Sequence, residues 1–85
     1  MDKTIKLRVK KEIGNDAELK VMKLKGALIA KKYTEIIYIA DENEDFYLNS
    51  FSSSPAQKKE AEDFILDYIL NNNLMDTITL VGTKN

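Results

Sequence analysis

The chain opens on a strict alternation in which Ile5, Leu7 and Val9 are apolar while Lys6, Arg8 and Lys10 between them are cationic. Side chains of an extended strand point alternately to opposite faces, so this spacing predicts a half-buried strand over residues 4–10. A second signature lies in residues 55–72, where Ala61, Phe64, Ile65, Tyr68 and Ile69 recur at the spacing of one helical face. Ser54 and Gln57 stand at capping-box spacing ahead of it, Pro55 occupies the first helical position, and Asn71, Asn72 and Asn73 mark the end. Residues 34–40 and 46–51 are rich in β-branched and aromatic side chains and flank Asp41, Glu42, Asn43 and Glu44, so they read as an antiparallel hairpin. Ile78 and Leu80 alternate with Thr77, Thr79 and Val81 in a last strand that stops at Gly82.

Residues 17–32 are less decisive. Their Ala, Leu, Met, Lys and Glu content favours a helix, with Asn15 and Glu18 as its capping box. Ala17, Val21, Leu24 and Leu28 then form one apolar stripe, and Leu19, Met22 and Ile29 form a second one opposite. The same pattern fits β-strands, with a bulge near Val21 and Met22 and a corner at Gly26. The helical reading gives an α+β chain, a single domain over residues 1–85 with a two-layer ferredoxin-like βαββαβ sandwich, strands one and three central and one sheet face open. The strand reading of 17–32 gives a β-sheet with one long helix, 55–72, packed on it.

Charge divides the chain. Residues 1–32 hold ten of the 13 Lys and Arg against four acids, a net of +6, whereas residues 33–85 hold three cations and ten acids, a net of −7. Such asymmetry points to an electrostatic partner or to a second copy packed in the opposite sense. The absence of Cys and His removes thiolate chemistry, disulfides, the usual general base and the commonest metal ligand. Neither a signal-peptide core nor a membrane-length apolar run occurs, so the expected location is cytoplasmic, with no membrane partner.

Three constellations invite a function. On the first strand Lys6, Arg8 and Lys10 face outward, and if Phe46 and Leu48 point inward then Tyr47 and Asn49 join them, with Tyr38 at the edge. Cations beside a stacking aromatic are the ingredients of single-stranded nucleic-acid binding. On helix 55–72, Glu60, Asp63 and Asp67 form an acidic row beside Leu66 and Leu70, which lie outside the core stripe. Leucines supply burial and carboxylates supply orientation, a pairing suited to docking on a protein or on another copy. The run Asp41, Asn43, Asp45 resembles the start of a calcium loop, but Phe46 and Ser52 stand where that loop needs Gly and Glu. Ser52–Ser54 with Lys58 or Lys59 could hold a phosphate, although no Gly-rich loop accompanies them and capping accounts for the serines.

No catalytic spacing, metal set or cofactor motif stands out. The expected function is a small non-catalytic binding protein, acting through a charge-polarised surface on a protein partner or on itself. Its size and composition suit a regulator or inhibitor such as a phage or mobile-element protein. The alternative is a single-stranded nucleic-acid-binding domain using Lys6, Arg8, Lys10 and Tyr47.

Overall fold

The alternation in the first strand decides the layering. The computed structural model describes residues 3–81, in which β1 (Lys3–Lys10) is followed by α1 (Asn15–Ala30), β2 (Tyr38–Asp41), β3 (Phe46–Ser53), α2 (Pro55–Asn71) and β4 (Ile78–Val81). Ile5, Leu7 and Val9 are buried under the helices while Lys6 and Lys10 stand exposed on the other side. The four strands form one sheet in the order β2-β3-β1-β4, antiparallel throughout, with β1 and β3 central. The molecule is thus an α+β sandwich of one sheet and two helices, and the strand reading of 17–32 is not the conformation adopted. The strand stop expected at Gly82 lies outside the described residues.

Both helices bury the stripes their sequences predict. Val21, Leu24 and Leu28 of α1 and Ala61, Ile65 and Ile69 of α2 close over Ile5, Leu7, Phe51 and Ile78. The start of α1 differs from expectation: Gly14 is the cap residue, no side chain caps the helix, and Asn15 is already its first residue. At α2 the Ser54 hydroxyl accepts from the Gln57 N–H at 3.3 Å, as a capping serine should.

The two helices end alike. Tyr33 N–H reaches back to Leu28 C=O and Leu74 N–H to Ile69 C=O, at 3.0 and 2.9 Å, with Lys32 and Asn73 in the left-handed region at φ 66° and 56°. This is the Schellman pattern, which satisfies the last carbonyls and turns the chain inward. It carries Tyr33 and Leu74 into the core. After Tyr33, the Thr34 hydroxyl donates to Ile36 C=O at 3.0 Å, and this local turn replaces the first half of the strand expected over 34–40.

Candidate functional site

The register of β1 with β3 determines which aromatic meets which cation. Ile5 lies opposite Phe51, Leu7 opposite Asn49, and Val9 opposite Tyr47. Directly opposed residues share a face, so Tyr47 and Asn49 belong to the helix-facing side, and Phe46 and Leu48 stand beside Lys10 and Arg8 on the uncovered one. This corrects the expected cluster of Lys6, Arg8, Lys10 and Tyr47: the three cations share a face, and Tyr47 is on the other. The physical reason is Phe51, whose burial at 1% exposure fixes the parity of the strand. Tyr47 instead receives Lys11, whose Nζ sits 5.0 Å from the ring centroid. Tyr38 does reach the uncovered face, opposite Ser50, which is in turn opposite Lys6.

On that face the central cation is already engaged. Arg8 donates from Nε to Glu42 Oε1 and from Nη2 to Glu42 Oε2, both at 2.7 Å, and its guanidinium lies 5.7 Å from the Phe46 centroid. The paired hydrogen bonds and the adjacent charge hold the Glu42 carboxyl below its usual range and raise Arg8 above its own. Lys11 meets Asp41 at 3.0 Å. Glu42 of the β2–β3 turn therefore folds back onto β1, while Asp41 at the end of β2 meets Lys11 just past β1. In the same turn Asn43 Oδ1 accepts the Asp45 and Phe46 N–H groups at 2.8 and 3.0 Å, so Asn43 closes the hairpin. Among the described residues no group of three or more acidic side chains is placed to hold a metal ion.

The outer face of α2 is different in kind. Leu66 and Leu70, one turn apart, are 45% and 58% exposed, and the turn after α2 buries Leu74 rather than either of them. Glu60, Asp63 and Asp67 are all exposed beside the pair. Glu60 accepts the Tyr33 hydroxyl at 2.8 Å, and this bond to the neutral phenol holds Tyr33 above its ordinary pKa. Asp63 is 3.4 Å from Lys59, an exposed pair of small consequence. Asp67 makes no ion pair or side-chain hydrogen bond among the described residues.

The second stripe of α1 is equally uncovered, with Leu19, Met22 and Ile29 exposed. The opposite flank of α1 faces α2: the Tyr68 hydroxyl donates to Lys20 C=O at 2.7 Å, Lys20 Nζ donates to Asn72 C=O at 3.4 Å, and Lys31 lies 5.2 Å from the Phe64 centroid. A cleft of about 850 Å³ lies between the end of α1, the following loop and the β3–α2 turn, lined in part by Ile29, Lys32, Tyr38 and Ser52–Ser54. Lys58 and Lys59 are absent from that lining and pair along α2 with Glu62 and Asp63, in keeping with the capping role read for Ser54. The lining does hold Lys32, just past the end of α1.

No protein-family model, curated protein or solved structure matches the chain. No helix among the described residues is long and apolar enough to cross a membrane.

Proposed function

We propose that the protein is a non-catalytic binding protein that docks on a protein partner through the outer face of α2, as a regulator or inhibitor of what it binds. The observation that carries this reading is the exposed Leu66/Leu70 pair set beside Asp63 and Asp67. Exposed leucines one turn apart gain from desolvation, and carboxylates beside them select a partner with basic groups around an apolar patch. The uncovered sheet face keeps Lys6, Lys10 and the edge ring of Tyr38 exposed, but its central cation, Arg8, holds Glu42 and lies over Phe46, so it supports the nucleic-acid alternative less.

Affinity capture with the intact chain, with captured proteins identified by mass spectrometry, tests the reading. A protein retained by the wild type should be lost with Glu60/Asp63/Asp67→Lys and retained with Lys6/Lys10→Ser. Retention by the acidic-face variant, with loss on changing Lys6 and Lys10, would move the site to the sheet.

A further inference from the structure

Gly26 lies in the middle of α1, exposed, where an added Cβ would meet nothing within 4 Å. Apart from proline, glycine is the residue least suited to a helix interior, and no contact within the protomer calls for it here. Leu19, Met22 and Lys23 share its exposed side of the helix, with the exposed Asp16 and Glu18 confined to the first turn, so the smallest side chain sits next to apolar groups and one cation. The outer face of α2 is the complement, with two leucines as projections and acids around them.

We propose that the surface docked by α2 is a second copy of this chain, with α1 of one protomer against α2 of its partner and α2 against the partner's α1. This inference rests on the docking role given above to the α2 face. Charge selects the pairing: α1 on α1 would set Lys23 near its own copy, and α2 on α2 would do the same for Asp67, whereas α1 on α2 sets Lys23, and Lys31 and Lys32 just past the helix end, towards the acids of α2, with Asp16 and Glu18 at the far end of α1. A two-fold axis parallel to the helices makes both contacts at once, the isologous arrangement of most soluble dimers.

Intrachain contacts give the level at which the helices meet. Lys20 lies beside Asn72 and Tyr33 beside Glu60, so α1 and α2 run antiparallel. The axis preserves those levels, which brings Gly26 level with Asp67 and the Leu66/Leu70 pair, and Lys23 level with Leu70. The leucines then enter the gap that Gly26 leaves, and Lys23 reaches the Asp67 carboxylate. Two helices about 25 Å long and about 10 Å across make a face on the order of 500 Å² in projection, a lower bound on the accessible area they offer. A standard interface takes about 800 Å² from each partner.

Sedimentation velocity on the full chain across the micromolar range, with melting curves on the same samples, tests the inference. The wild type should sediment as a dimer. Lys23→Glu and Asp67→Lys should each weaken the dimer about tenfold or more, and an equimolar mixture of the two should recover it, since each contact in the mixed dimer again joins opposite charges. Gly26→Gln should abolish the dimer and, at concentrations low enough for the wild type to be monomeric, should melt no lower than the wild type, a result that a folding defect cannot produce. A wild-type dimer indifferent to all three substitutions would overturn the proposal. A monomeric wild type that still loses a captured foreign protein on Glu60/Asp63/Asp67→Lys would overturn self-association and leave the α2 docking face standing. A monomer whose captured partner ignores that change would overturn both.

Discussion

On the uncovered face of the sheet, Arg8 lies against Phe46 and holds Glu42 through two 2.7 Å bonds; on the outer face of the helices, Leu66, Leu70 and Asp67 point outward with no such engagement among the described residues. Both surfaces carry charge beside apolar groups, and from the sequence the first looks the more suggestive. The difference is that the chain itself supplies the partner on the sheet, through a turn 34 residues away from Arg8 in sequence. A charged group satisfied within its own fold has already lost part of what it could offer a ligand, because binding must first break those bonds. Exposure is therefore a weaker guide to a binding surface than unpartnered chemistry.

The sharpest way to break the comparison is to ask whether the outward groups of α2 hold the fold rather than a partner. Ile65 is wholly buried while its neighbour Leu66 is 45% exposed. Ile65→Ala should cost about 2–5 kcal/mol through lost burial and the cavity it leaves, and Leu66→Ala should remain within about 0.5 kcal/mol for the protomer, both read by urea unfolding. Equal losses would make Leu66 a structural residue and remove its claim to a binding role.

A second test bears on the helix-facing side of the sheet. Asn49 is 1% exposed opposite Leu7, and its Oδ1 has no hydrogen-bond partner among the described residues. Asn49→Leu keeps the branched shape and removes the unpaired oxygen, so it should raise stability by about 1–2 kcal/mol. A loss on the same denaturation curve would show that the amide is satisfied.

Gly26 and Lys32 sharpen the comparison further, since each sits where the other type of residue would suit the isolated protomer. Gly26 is mid-helix, and Lys32 adopts a φ of 66° after the helix end. Gly26→Ala should stabilise the protomer by about 0.5–1 kcal/mol, and Lys32→Gly by about 1 kcal/mol through relief of the left-handed conformation. Thermal melts of the two single variants check both signs.

The smallest effect belongs to the sheet face. Glu42 titrates below its ordinary value near 4.5, so in the acid range the unfolded chain binds the proton before the folded one does. The contribution of the Arg8–Glu42 pair is complete above that ordinary value and is lost as pH falls through the lower folded one. Glu42→Gln should flatten this part of the acid stability profile while leaving partner capture at neutral pH unchanged.

The layering was legible because β1 and α2 carry unbroken periodicities: Ile5, Leu7 and Val9 define one face, and Ala61, Ile65 and Ile69 define another. The parity of β3 was not. Its residues Phe46, Leu48 and Phe51 cannot all lie on one side, and the larger burial available to Phe51 beneath the helices outweighs the pair Phe46 and Leu48. That inversion moves Tyr47 away from Lys6, Arg8 and Lys10 and leaves Tyr38, at the edge, as the ring of the expected nucleic-acid site that shares their face. The Arg8–Glu42 pair was hidden for a related reason, since contacts between distant residues depend on strand order and register rather than local spacing. On α2 the acidic row and the Leu66/Leu70 pair needed only helical geometry to be read. The bearing of Gly26 on the same surface emerged once its surroundings were seen to be open.

Under the proposed function the protein meets its partner through the helix layer and not through the sheet. Photo-crosslinking from an unnatural benzophenone side chain placed at Leu70 in one variant and at Lys6 in another tests it most directly, with the products identified by mass spectrometry. Protein crosslinks are expected from Leu70, to the α1 segment of a second copy in the proposed dimer, and none from Lys6. Crosslinks from Lys6 to protein or nucleic acid, with none from Leu70, would contradict the proposed function.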